Sequence, residues 1–413
     1  MKVTRRNFLK SGVSMAGLCL GWSQLQTIAA YAANFEPRKP GSSKILVLVE
    51  MSGGNDGVNT VIPYSSTAYY KARPQLAIKQ DNVLTLNNDL GLHPSMTGMH
   101  QLFGEGKLAV IAGAGYPNPN RSHFRSIEIW QTAQPERIIE TGWLGRYLDL
   151  SGAAKTANGK LFPAINVEPT LPKTLSADRT VVPSVADVNQ FRFLTDSHYD
   201  QDRKCQLDSF KRIYSSFDLQ RPEVKMLKEV GLDAMEASDY LLRVVKEYKN
   251  NVTYPDTAFA RSLKFVAQLI SAGVDARVYN VGLGGFDTHA AQSGAHANLL
   301  KTLSEGITAF QKDLEDHGVD KDVMLMTFSE FGRRVAQNNG NGTDHGTAEP
   351  LFIVGSAVTG GVYGDYPSLT NLDSGDLKFT TDFRNVYSTV LDRWLSADSQ
   401  QILGAKYDHL KFV

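Results

Sequence analysis

The sequence predicts an α/β sandwich, a central and mostly parallel sheet with helices on both faces. Three observations predict it. Continuous apolar runs of strand length recur along the chain, and amphipathic stretches of helical length lie between them. Polar clusters stand where the apolar runs stop. Strand and helix alternating in this way is the pattern of a sheet covered on both sides. Residues 44–413 read as one such domain, with a cap region inserted at about 151–255.

The chain begins with an address. Met1-Lys2-Val3-Thr4-Arg5-Arg6-Asn7-Phe8-Leu9-Lys10 places an Arg pair before a mild apolar run, Gly12 to Leu20, which is the twin-arginine export pattern. The run is too short to span a bilayer stably. Small residues at Ala30 and Ala32 predict cleavage after Ala32, leaving residues 33–43 as a polar Pro/Gly linker. The expected location is periplasmic or extracellular, with the twin-arginine translocase as the export partner and no stable membrane span. Residues 1–32 carry four basic residues and no acid, so their removal leaves 39 basic and 43 acidic residues, a net charge of −4. Cys205 then stands alone, which excludes an internal disulfide.

Residues 44–51 (KILVLVEM) read as a strand buried on both faces, running into a Gly-rich turn, SGGNDG. A helix is predicted over 96–105, a second strand over 108–112, and a helix over 122–132 after the polar loop GYPNPNR. Residues 151–255 break the rhythm with a Pro/Val/Thr-rich stretch and a long charged helix over 222–249. Strands follow at 276–283, 322–328 and 351–354. A helix over 296–317 separates the first two of these, and an amphipathic helix over 382–395 closes the chain.

Composition narrows the function. Equal numbers of basic and acidic residues, 43 each, give no basic excess for a nucleic-acid partner. Two Cys exclude a disulfide scaffold, and a redox centre lacks both a post-strand GxGxxG and the thiols for an iron–sulfur cluster. In an open α/β sheet, ligands gather at the carboxyl ends of the strands. Those ends carry Asn55 and Asp56, then Arg121, Ser122 and His123, then Asp287 and His289, then Glu330 and Arg333, while Asp344 and His345 precede the last strand. Carboxylates and imidazoles are what a divalent metal site needs. Each also has a plainer reading: Asp56 as a turn residue, Ser122 as a helix cap, Glu330 as the partner of Arg333 or Arg334, His93 as structural.

The segments GGNDGVNTVIPY (53–64), RSHFRSIEIWQT (121–132), GGFDTHAAQ (284–292), SEFGRR (329–334) and GTDHGTAEPLFIVG (342–355) resemble the DUF1501 family of exported bacterial proteins, over about residues 44–370. That family in turn resembles the alkaline phosphatase superfamily, which includes sulfatases. The resemblance implies an alkaline-phosphatase-like fold and one or two divalent ions, zinc or manganese, held by Asp56, Asp287, His289, Glu330, Asp344 and His345. It implies Ser122 as nucleophile, and Arg121 or Arg333 as the group offsetting charge on an ester. Asn55 and His123 are further candidates, His123 as a replacement ligand, because Phe331 stands where the superfamily has a ligating His. The expected function is a metal-dependent hydrolase of small-molecule or polymeric phosphate or sulfate esters. The competing expectation is a non-catalytic periplasmic binding or envelope-assembly protein that keeps the fold.

Overall fold

The structure, a computed structural model, describes residues 41, 43–151, 163–180, 182–186, 199–216 and 241–413. The export segment and most of the predicted helix over 222–249 lie outside the described residues; 241–247 are helical.

The first predicted strand is β1, Ile45–Glu50. Ile45, Val47 and Val49 pack into one hydrophobic core, and Leu46 and Leu48 into another. Side chains alternate across a strand, so a run with no polar residue is what a strand covered on both faces requires. After it come α1 (Gly57–Thr60), β2 (Val61–Ile62), α2 (Thr67–Ala72), β3 (Leu84–Thr85), β4 (Gly91–Leu92), α3 (Thr97–Gly104) and β5 (Leu108–Gly115). Next are α4 (His123–Thr132), α5 (Trp143–Leu150), β6 (Ala164–Asn166), α6 (Asp200–Ser215), α7 (Ala258–Ser271), β7 (Val278–Gly282) and α8 (Gln292–Asp316). The chain ends with β8 (Val323–Phe328), β9 (Glu349–Val354), β10 (Gly361–Tyr363), β11 (Thr381–Asp382), α9 (Phe383–Thr389) and α10 (Ser399–Leu403). The predicted closing helix stops at Thr389, passes into a wider turn over Val390–Trp394, and is followed by α10.

The main sheet has the order β10-β5-β9-β8-β1-β7-β6, with β11 also paired to β5. Every pair is parallel except those made by β9, which runs against β5 and β8. One face of the sheet is covered by α3, α7 and α8, the other by α4, α5, α9 and α10. A small antiparallel sheet, β2-β4-β3, stands apart. This architecture is the predicted one. Among the described residues no helix is long and apolar enough to cross a membrane.

The reversal of β9 matters for function. β1, β5, β7 and β8 all point their carboxyl ends to one edge. An antiparallel β9 begins at that same edge, so the loop before it, carrying Asp344 and His345, meets the loops that follow the parallel strands.

Candidate metal centre

At that edge four side chains converge. His123 is the first residue of α4, Asp287 and His289 lie in the loop after β7, and His345 lies before β9. His345 Nε2 is 3.0 Å from His123 Nε2, 3.0 Å from His289 Nε2 and 3.3 Å from Asp287 Oδ1. Asp287 Oδ1 is also 3.0 Å from His289 Nε2 and 3.6 Å from His123 Nε2.

The opposite ring nitrogens decide what these distances mean. His123 Nδ1 is 2.6 Å from Glu330 Oε1, and His345 Nδ1 is 2.9 Å from the Arg121 carbonyl. His289 Nδ1 is 3.4 Å from Asp344 Oδ1. Carbonyls and carboxylates only accept, so each Nδ1 carries its proton and each inward Nε2 presents a lone pair. Bare lone pairs at 3.0 Å repel, and a cation between them removes the repulsion. Zinc bound at about 2.0–2.1 Å in tetrahedral geometry separates its ligands by roughly 3.4 Å, close to the spacings here. An imidazole–carboxylate set held from behind by carboxylate and carbonyl acceptors is the arrangement of a divalent metal site. The ligand atoms of His123, Asp287 and His345 all lie within 4.8 Å of one another.

Charges favour the same state. Burial acts to raise the Asp287 pKa, but the bond and charge of Arg333, with His289 and His345 beside it, outweigh that and hold the carboxyl below its ordinary value. Partial burial and the Arg333 charge lower His345, which keeps its imidazole neutral.

The predicted residues divide into groups. His123, Asp287, His289 and His345 are brought together. Glu330, expected as a ligand or as the partner of an Arg, instead sits behind His123; its carboxylate also accepts from Gly53 N–H at 2.9 Å and from the Ser329 hydroxyl at 3.0 Å. Asp344 stands behind His289 and accepts from Asn338 at 3.0 Å. Arg333, expected to meet the substrate, is buried and spends its guanidinium on the carbonyls of Gly53, Gly54, Phe286 and Thr343 and on Asp287 at 2.6 Å. It clasps three loops and has no N–H left for an ester. Arg121 is half exposed and pairs with Asp376 at 3.2 Å. Ser122 is the exposed residue immediately before α4, and its side chain makes no capping bond.

Asp56 does not join the cluster. Its carboxylate has no exposure and takes Arg73 in a fork at 2.5 and 2.8 Å, with Gln292 on the same oxygen. Burial opposes ionisation there, and the Arg73 charge and bonds outweigh it, so the carboxyl stays below its usual range. Asn55 is likewise buried, its Oδ1 3.0 Å from His296 Nε2. His93 packs edge-on against His296, and burial pushes both imidazoles down to about 4.

Phe331 fills the space beside the cluster. Its ring centroid lies 4.9 Å from that of His123 and 4.7 Å from that of His345. Gly54, at φ +76°, passes so near that a Cβ there would stand 2.3 Å from the Phe331 ring. Only glycine meets both demands, which explains the second glycine of the SGGNDG turn.

Glu330→Gln is expected to weaken metal binding 10- to 100-fold, the usual cost of losing a carboxylate behind a ligating His. Competition titration against a chelator checks this; unchanged affinity would remove Glu330 from the centre.

Sequence reading missed two acids beneath the site, Glu349, which is buried, and Glu50, which is partly buried. Glu349 is wholly buried, and desolvation raises its pKa well above normal. Glu50, bonded by Gln131 at 2.7 Å, is pushed by burial to about 7, with Glu330 and Glu168 adding to the rise. An unfolded Glu ionises near 4.5. The folded state therefore holds the extra proton between those values, and that stabilisation disappears as pH rises through 7. Metal-free Glu50→Gln should match wild type near pH 4.5 and exceed it by about 3 kcal/mol at pH 8. Urea unfolding at both pH values reads this; a pH-independent difference would contradict it. No local signal marks either residue, since Glu at a strand end also suits a solvated turn.

Comparison with known proteins adds the following. No curated protein matches the sequence. Among solved structures, the chain is similar to PsFucS1 sulfatase from Pseudoalteromonas sp., at 12% identity over 98% of this chain and 75% of that one, with a TM-score of 0.39. It is similar to a protein in the alkaline phosphatase superfamily from Vibrio parahaemolyticus, at 11% identity over 98% and 78%, with a TM-score of 0.37. It is also similar to the C-terminal periplasmic domain of EcEptC from Escherichia coli, solved in complex with Zn, at 13% identity over 78% and 76%, with a TM-score of 0.33. The family model described as "Protein of unknown function (DUF1501)" matches residues 43–404, and the chain, whose five motifs all fall within that match, belongs to that family.

Proposed function

We propose that this protein is an exported, metal-dependent hydrolase of phosphate or sulfate esters. The carrying observation is the convergence of three Nε2 lone pairs and Asp287 Oδ1, with each Nδ1 held from behind. The twin-arginine pattern of residues 1–32 supports export after folding.

A divalent ion held by His123, Asp287, His289 and His345, zinc or manganese on this donor set, would supply Lewis-acid polarisation of an ester oxygen and lower the pKa of a nearby hydroxyl. The chain supplies the rest. Each clustered imidazole has its Nδ1 engaged and its Nε2 directed inward, so none is left over as a general base for Ser122. Ser122 Oγ, at the amino end of α4, attacks phosphorus or sulfur and releases its proton to solvent; the P–O or S–O bond to the leaving group breaks, and the leaving oxygen takes a proton from solvent. Water then cleaves the Ser122 ester and restores the hydroxyl. Arg121, the residue before Ser122, offers a half-exposed guanidinium, whereas Arg333 holds Asp287 in place.

The test is hydrolysis of 4-nitrophenyl phosphate and 4-nitrophenyl sulfate by metal-loaded protein. Activity lost at least 100-fold in Ser122→Ala, with metal content unchanged, supports the reading. Activity that survives Ser122→Ala removes Ser122 as nucleophile, and bound metal without any hydrolysis removes the enzyme. The second reading, a binding or envelope-assembly protein, is favoured by Phe331, which puts an aromatic wall against two of the four ligating groups.

A further inference from the structure

We propose that the cavity beside the histidine cluster binds an uncharged polyhydroxylated group, a sugar or polyol, and that this group is the leaving-group side of the substrate. Its place in a reaction rests on the hydrolase reading above; the binding itself does not.

The cavity encloses about 600 Å³, within the range of small-molecule sites, roughly 300–1,000 Å³. Its walls come from the end of β5 and the loop after it, from the segment that carries Asp373, Asp376 and Phe379, and from Phe331 with Thr347 and Ala348. Two residues join it to the cluster. Arg121 gives its carbonyl to His345 and its guanidinium to Asp376 in the cavity wall. Phe331 lines the cavity and packs against the rings of His123 and His345. A group bound in the cavity is thereby beside any ester held at the cluster.

The lining selects the chemistry. Arg121, Lys378, Asp373 and Asp376 all line the cavity, with the Lys378 ammonium donating to Asn371 Oδ1 at 2.7 Å. An anion would meet both acids, and a cation both bases. Hydroxyls suit all four, because one oxygen donates to a carboxylate and accepts from a guanidinium or ammonium. Asn118 and Asn120 offer the same dual capacity. Asp376 is only 5% exposed and is held between Arg121 at 3.2 Å and Arg334 Nε at 3.4 Å. Its carboxylate is thus fixed before a ligand arrives, which lowers the ordering cost of binding. Phe379 adds an apolar surface for the C–H faces of a ring.

Saturation-transfer NMR with glucose, myo-inositol, butylammonium and acetate as separate probes tests this. Glucose and inositol are expected to bind in the millimolar range, about tenfold more weakly to Asp376→Asn and several-fold more weakly to Lys378→Ala. Lys378 is exposed, so that variant decides the matter if Asp376→Asn fails to fold by circular dichroism. Butylammonium or acetate binding while the sugars do not, no binding at all, or sugar binding untouched by both variants would each overturn the proposal. Asp287→Ala separates the two readings: it should strip the metal and leave sugar binding within twofold. Metal bound without sugar binding sinks this inference alone, and sugar binding without metal sinks the hydrolase alone.

Discussion

Asp287→Ala is expected to leave the protein folded and strip it of metal. Asp287 Oδ1 lies within 3.6 Å of all three imidazole Nε2 atoms. Removing it takes away both a ligand and the negative charge that offsets a divalent cation. The loss should exceed the roughly 100-fold limit typical of residues behind a metal ligand. Stability should fall less than at a fully buried ion pair, because the Asp287 side chain is half exposed and Arg333 keeps its four carbonyl partners. The check is metal content after dialysis, together with a melting curve. One equivalent of metal in wild type and none in a folded variant is the expected result. Equal metal in both proteins would show that the four side chains are not the site.

The reverse pattern is expected at Asp56. Asp56→Ala should cost about 3–5 kcal/mol, because it leaves the buried Arg73 guanidinium without a counter-charge, with only the carbonyls of Val335 and Arg334 for partners; both side chains of the pair have no exposure, whereas the Asp287 carboxylate already faces solvent. That corresponds to a fall of roughly 4–6 °C in Tm. Metal content of the folded protein should not change. The two variants therefore cross: one loses metal and keeps more of its stability, the other loses stability and keeps metal. Differential scanning calorimetry with metal analysis of the soluble fraction reads both axes. A stable Asp56→Ala protein without metal would restore Asp56 as a ligand.

This crossing shows where sequence reasoning stopped. The family resemblance grouped Asp56 with Asp287 as metal ligands, since both follow a strand of the sheet. What separates them is Arg73, seventeen residues after Asp56 in a stretch, YKARPQL, with no pattern that marks a buried cation. Once folded, Arg73 forks onto Asp56, and Gln292 from α8 closes the other side. Glu330 shows a milder form of the same limit. It was legible as part of the site, but whether it ligates or stands behind His123 depends on the 2.6 Å contact with His123 Nδ1, 207 residues distant in sequence.

The five longest strands, β1, β5, β7, β8 and β9, and the mostly parallel character of the sheet were legible in the sequence itself, because apolar periodicity and run length are local properties that any chain segment carries with it, whereas the two- and three-residue strands carry too short a run to show. The same holds for the choice of Asp287, His289 and His345 as a candidate group, since residue type and position at strand ends are also local. Only the tertiary structure decided that β9 runs against its neighbours and so returns His345 to the edge where the parallel strands end. It alone aligned His123, the first residue of a helix, with two loops more than 160 residues away. Pairwise distances between remote segments depend on how every intervening element packs, and no single segment encodes them.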